Sequence, residues 1–178
     1  MRIIQWTQLA CGLLLAMPSS PAEEHRWAGR TFSDQEWRIH EELATLPFHG
    51  VFDDLRFEVS GGAVTLSGYV MREPVKANAE RAVKRVDGVN SVTNRIEVLP
   101  SSKADDSIRM RVYRAIYENR QLEKYGTRGF PQIQIVVRNG AVALEGFVDS
   151  ETDRKLAYHQ ASRVARAIQT NLRVAPLE

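Results

Sequence analysis

The chain has a single cysteine in 178 residues, Cys11. No intrachain disulfide or multi-cysteine zinc set can form, and beyond position 11 there is no thiol chemistry. Four histidines, His25, His40, His49 and His159, are scattered and make neither HxH nor HExxH. No G-x-S-x-G elbow or P-loop is present. The net charge is only +2, too small to argue for a nucleic-acid partner. Long apolar runs are also missing, since Leu9–Met17 is too short to cross a bilayer. These absences point away from an enzyme and give no reason to expect a cofactor or a metal.

What is present begins with a secretory pattern. Arg2 supplies a positive start, the apolar run follows, and "SPA" at 20–22 puts small residues where a signal peptidase reads. The expectation is a signal peptide over 1–22, cleaved to leave a soluble exported protein in the periplasm. An uncleaved membrane anchor is the alternative. A lipoprotein is disfavoured, because Cys11 precedes most of the apolar run.

The rest of the chain repeats itself. "GGAVTLSGYV" at 61–70 and "NGAVALEGFV" at 139–148 share six of ten residues. Upstream, Leu55, Phe57 and Val59 alternate with polar residues, as do Ile133, Ile135 and Val137, which reads as a strand with one buried face. "GG" at 61–62 and "NG" at 139–140 are two-residue hairpin signals. Downstream the period becomes helical: Val75, Ala79, Ala82, Val83 and Val86 in one copy, and Ala157, Ala161 and Val164 in the other. Glu73 and Glu151 fall at the two helix starts, where carboxylates suit the helix dipole. A further alternating strand closes each copy, Val92–Val98 and Ile168–Val174, and the second copy is two residues shorter in the preceding turn.

A helix precedes each hairpin, with stripes Ile39, Leu43, Leu46 and Ile108, Val112, Ile116. The expected architecture is an α+β sandwich of two tandem units, each helix–strand–strand–helix–strand, with two helices packed on a three-stranded sheet. The boundaries are 33–99, a linker at 100–104, and 105–175. Gly68 and Gly146, inside strands, read as bulges or close backbone packing rather than ligand contacts. The aspartate pairs Asp53/Asp54 and Asp105/Asp106 read as caps rather than as cation ligands. His49 reads as a loop residue and His159 as an exposed helical one.

The pattern Val86, Gly88, Val89, Val92, Asn94, Ile96, Val98, following a turn glycine (Gly62, Gly140) and a strand glycine, resembles the BON domain of bacterial envelope proteins. The second copy departs from it, with no glycine equivalent to Gly88 and Thr170 in place of Asn94. The resemblance implies an α/β sandwich and a non-enzymatic role. It also implies association with phospholipid binding, envelope integrity and osmotic stress, and supplies no catalytic residues.

Charge separates the copies. Residues 23–100 carry 10 Lys/Arg and 13 Asp/Glu, and residues 101–178 carry 13 and 9. In the second copy Lys155, His159, Ser162 and Arg166 recur at helical spacing, flanked by Arg154 and Arg163. Two readings stand for this face: ordinary solvation, or docking on the anionic phospholipid membrane surface. Tyr113, Tyr117, Tyr125 and Phe130 are candidate interfacial anchors, although Phe130 aligns with Phe52 and also reads as core. The competing function is a protein-interaction module of the cell envelope that binds no lipid.

Overall fold

The structure, a computed structural model, describes residues 25–27, 30–126 and 131–175. The signal-peptide expectation and Phe130 lie outside them. Both units form as the repeat indicates. The first contains α1 (Asp34–Ala44), β3 (Asp54–Ser60), β4 (Ala63–Val70), α2 (Glu73–Val83), β5 (Ser91–Asn94) and β6 (Glu97–Val98). The second contains α3 (Lys103–Tyr117), a 3-10 turn (Glu123–Tyr125), β7 (Ile133–Arg138), β8 (Ala141–Val148), α4 (Glu151–Ser162), β9 (Ala167–Thr170) and β10 (Arg173–Val174). Ahead of them is a short ribbon that the sequence patterns did not reveal, β1 (His25–Trp27) paired antiparallel with β2 (Arg30–Phe32). Its anchor is Phe32, which is buried against Trp37, His40 and Phe57.

In each unit the first hairpin strand is the sheet edge, the second is the centre, and the closing strand runs parallel to that centre. The parallel pairing requires a crossover, which α2 and α4 supply. The two turns work as expected. Gly61 and Gly62 have φ of 56° and 82°, and Asn139 and Gly140 have 52° and 80°, so both loops are the tight two-residue kind whose twist matches the strands.

The closing strand is broken rather than continuous. In the first unit Arg95 N–H donates to Leu66 O at 2.8 Å, and the ladder resumes at Glu97. Asn94 holds this bulge. Its Oδ1 accepts from Ile96 N–H at 3.1 Å, and its Nδ2 donates to Lys76 O and Glu80 Oε2 on α2. In the second unit Thr170 cannot reproduce this set, and its hydroxyl is buried without a hydrogen-bond partner. Asn171 instead donates to Glu145 Oε1 at 2.6 Å.

Each unit has its own core between two helices and one sheet face. Ile39, Val64, Leu66, Val75, Ala79 and Val83 are central in the first, and Val112, Ile116, Ile135, Leu144, Ala157 and Ala161 in the second. The units also share residues. Val51 and Phe52, in the loop before β3, pack against the second core, with Phe52 6.1 Å from the Tyr113 ring. Phe52 therefore serves its neighbour's core. Val136 and Phe147 are 5% and 2% exposed yet belong to neither helix-covered core. They lie on the helix-free face of the second sheet, which the first unit closes. Arg138 at the end of β7 pairs with Glu97 at 3.2 Å and lies 5.8 Å from the Tyr69 ring.

The aspartate pairs do not cap helices. Ser33, Ser102 and Ser150 cap α1, α3 and α4. The hydroxyl at position 102 is better placed than a carboxylate one turn into the helix. Asp105 is buried and bonds the distant 139–140 turn, and Asp106 pairs with Arg109. Asp53 accepts from Gly50 N–H and Met71 N–H, pinning the loop before β3 to the turn that leads into α2.

Candidate lipid-facing surface and inter-unit cleft

The basic residues singled out in the second unit do not all share one helix. Lys155 and His159 are exposed on α4. Arg154 is half-buried, its charge taken up by Glu151 at 2.6 Å. The helix ends at Ser162 because Ala167 must enter the sheet beside Ala141. Arg163 is therefore the C-cap and Arg166 lies beyond the helix, exposed in the turn before β9. Of the helically spaced Lys155, His159, Ser162 and Arg166, the first three thus lie on α4, and Arg166 lies past its end with the C-cap Arg163. Cations suit that end of the dipole.

Sequence reasoning missed a larger part of the same layer. α3 packs beside α4 over the second core and exposes Lys103, Arg111 and Arg114. Neither these nor Lys155, Arg163 and Arg166 form an ion pair among the described residues. The same two helices expose Met110, Tyr113 and Tyr158, which are 44%, 36% and 44% exposed. The available signal was the helical face opposite Val112 and Ile116.

Of the four aromatic residues proposed as anchors, Tyr113 alone is exposed among those described. Tyr117 donates its hydroxyl to Ile133 O, and burial pushes its pKa up. Tyr125 is fully buried. Its hydroxyl donates to Asp153 Oδ2 at 2.6 Å and accepts from Asp149 N–H at 2.9 Å. Burial, reinforced by Asp153, pushes the phenol up to about 12. Lys124 bridges Asp149 and Asp153 at 3.0 Å each, and hydrogen bonds to these carboxylates raise the ammonium pKa. This cluster closes the β8–α4 turn, the task Asp53 performs at the equivalent turn of the first unit. Much of the longer 118–132 connection therefore has a structural use.

The second feature is a cleft of about 520 Å³ between the units. Its first-unit side has Arg30, Phe32, His40 and consecutive β3 residues Asp54–Glu58, and its second-unit side has Gln134, Glu145, Phe147 and Arg173. Burial pushes the His40 and His49 imidazoles down, so both are neutral near pH 7. Asp54 is the notable group. It is 6% exposed and its carboxyl is pushed up to about 6, chiefly by burial. Arg56 at 3.1 Å works the other way, and Glu145 adds to the rise. Burial prevails because the Arg56 side chain is itself 55% exposed and solvent-screened.

A raised carboxyl pKa means that the folded state holds the proton more tightly than the unfolded chain. The contribution of Asp54 to folding stability is then highest below the ordinary aspartate range and falls as pH rises from 3.8 towards 6. Asp54→Asn removes this titration. The variant is expected to gain on the parent by about 2 kcal/mol between pH 4 and pH 7, as read from urea midpoints across that window. A constant difference would show that Asp54 titrates normally.

The turn and strand glycines have structural roles. Gly62, Gly68, Gly88, Gly140 and Gly146 all have positive φ, from 80° to 111°. A Cβ on Gly68 would lie 2.0 Å from Asp54 O, and one on Gly146 would lie 2.1 Å from Gln132 O. Backbone of the paired strand fills the space a ligand would need.

Two solved structures share low overall similarity with the chain. One is the C-terminal domain of CdsD, the structural protein of the type III secretion system of Chlamydia trachomatis, at 13% identity and a TM-score of 0.30. It covers 79% of this chain, which in turn spans 64% of that one. A second CdsD structure matches at 13% identity and a TM-score of 0.29, over 80% of this chain and 92% of that one. No curated protein matches the sequence. The BON domain model matches twice, over residues 39–100 and 104–176, one match for each folded unit. The chain therefore belongs to the BON domain family and carries two copies of the domain in tandem.

Proposed function

We propose that this is a non-enzymatic periplasmic protein whose second BON domain docks on anionic phospholipid headgroups, in support of envelope integrity or the osmotic stress response. BON domains are associated with membrane and envelope proteins and are in general non-enzymatic. The observation that carries the reading is the outer helix layer of the second unit. There Arg111, Arg114, Lys155, Arg163 and Arg166 are exposed, and so are Met110, Tyr113 and Tyr158. Each basic residue near an anionic surface contributes about 1 kcal/mol, so several acting together are needed for measurable binding. Amphipathic aromatic side chains suit the headgroup level. No described helix is long and apolar enough to cross a membrane, so contact through this face would be peripheral.

Co-sedimentation with vesicles tests the reading. Binding is expected to vesicles rich in phosphatidylglycerol, to fall with salt, and to be weak on phosphatidylcholine. Joint charge reversal at Lys155, Arg163 and Arg166 is expected to reduce the bound fraction about tenfold or more. Equal, salt-independent behaviour towards both vesicle types would rule out the lipid reading. A second reading, protein docking without lipid, draws on Phe48. This residue is 70% exposed, in a loop, with a φ of 66° that is strained for an aromatic residue. A vesicle-inert protein that loses an envelope partner on Phe48→Ser would favour it.

A further inference from the structure

The edge strands of the two units differ in a way their similar sequences conceal. In a two-residue hairpin the residues flanking the turn exchange hydrogen bonds, and bonded pairs alternate from there. Ser60 faces Ala63, and Arg138 faces Ala141. The N–H and C=O groups of Leu55, Phe57 and Val59 on β3 therefore point away from the hairpin. Those of Ile133, Ile135 and Val137 do the same on β7. All three β7 positions are engaged. Tyr117 donates to Ile133 O, Ile135 N–H donates to Val51 O at 2.8 Å, and Arg109 Nη2 donates to Val137 O at 2.6 Å. On β3, Leu55, Phe57 and Val59 have no such partner among the described residues. β3 is the outer strand of its sheet, and its three apolar residues are only partly buried.

The inter-unit cleft runs along this bare edge. Five consecutive residues, Asp54 to Glu58, line it. A cavity over one face of a strand would touch alternate residues only. One wall comes from β2 and α1, through Phe32 and His40, and the other from the second unit, through Glu145 and Arg173.

We propose that the β3 edge is a strand-addition site, which takes one extended segment of another polypeptide as a further strand of the first sheet. The walls select a single strand over a second folded copy. A copy docking edge to edge would bring its own β4 about 4.8 Å behind the incoming strand and into both walls. The lining sets the segment's chemistry. Alternate side chains face Phe32, Leu43 and Phe57 and are apolar. Those between lie beside Arg56 and Glu58, so an acidic residue belongs opposite Arg56 and a basic one opposite Glu58.

The sequence of residues 54–60, DLRFEVS, meets this description when laid antiparallel with its Phe opposite Phe57. Its Glu then faces Arg56 and its Arg faces Glu58. The probe is that heptapeptide, fluorescently labelled and titrated with the full chain by anisotropy. Saturable binding is expected. N-methylation of the probe's Leu, Phe and Val amides, which face β3, is expected to weaken it by about tenfold or more. Methylation of its Arg and Glu amides, which face away, is expected to change it by less than about twofold. Glu58→Arg is expected to weaken the parent probe and to restore a probe carrying Glu in place of its Arg. Absence of saturable binding, or equal loss with both methylated probes, would overturn the proposal. A dimer of the chain that excludes the probe would assign the edge to a second copy and overturn it too.

Discussion

Gly68→Ala is expected to destabilise the protein by about 4 kcal/mol, a large part of the 5–15 kcal/mol typical of a domain. Two effects combine. At a φ of 111° an alanine is strained on its own account, by about 1–3 kcal/mol. Its Cβ would also sit 2.0 Å from Asp54 O and 3.0 Å from Asp54 C. Those atoms are main chain of the paired strand, so relief means pulling the hairpin apart rather than turning a side chain. Gly146→Ala meets Gln132 O at 2.1 Å and should cost about as much. Gly140→Ala is the control. Its φ is 80° but nothing lies within 4 Å of an added Cβ, so about 1 kcal/mol is expected. Gly62→Ala should fall between, because Gly88 O at 2.8 Å and Asn90 Nδ2 at 2.6 Å crowd it. Urea unfolding followed by circular dichroism gives the order directly. If the Gly68 and Gly140 variants lost the same stability, the close-packing account would fail.

That ordering shows which signals the sequence carries. Turn residues and alternating strands act through local backbone geometry, so Gly62, Gly140 and the strands around them could be read one copy at a time. Duplication then made the strand glycines legible, because Gly68 and Gly146 stand at matching positions in both copies. Contacts between elements left no such trace. Asp105 looked like a cap because it lies near a helix start, yet its partners are 34 and 35 residues away. The buried face of α3 is Asp105, Arg109, Val112 and Ile116. Two charged residues in that series hid half of it, and only a neighbouring turn and a strand carbonyl explain why charges belong there. The bare β3 edge is a further example. Leu55, Phe57 and Val59 match Ile133, Ile135 and Val137 in pattern, and what distinguishes the edges is contributed by Tyr117, Arg109 and Val51 from elsewhere in the chain.

Asp105→Ala is the second large effect expected, a loss of about 3 kcal/mol. The Asp105 carboxylate accepts from Asn139 N–H at 3.0 Å and from Gly140 N–H at 2.8 Å. These are the two residues of the β7–β8 turn, and both have positive φ. The residue is 3% exposed, so water cannot replace the lost acceptor without opening the site. Bonds from backbone N–H to an ionised acceptor are worth about 1.5–3 kcal/mol each, and the alanine leaves both donors unpaired. One turn along α3, Arg109 is 2% exposed and donates to Val137 O at 2.6 Å, so helix and hairpin are joined at two adjacent points. Asp105→Asn keeps one acceptor but aims an N–H₂ group at an N–H donor, and about half the alanine loss is expected. Amide exchange separates this local account from a general loss of packing. At Asn139 and Gly140 the alanine variant should exchange faster than its global stability requires, while Gly61 and Gly62, whose turn receives no such carboxylate among the described residues, should follow global stability alone. Unchanged exchange at 139–140 would mean that the carboxylate does not hold the turn.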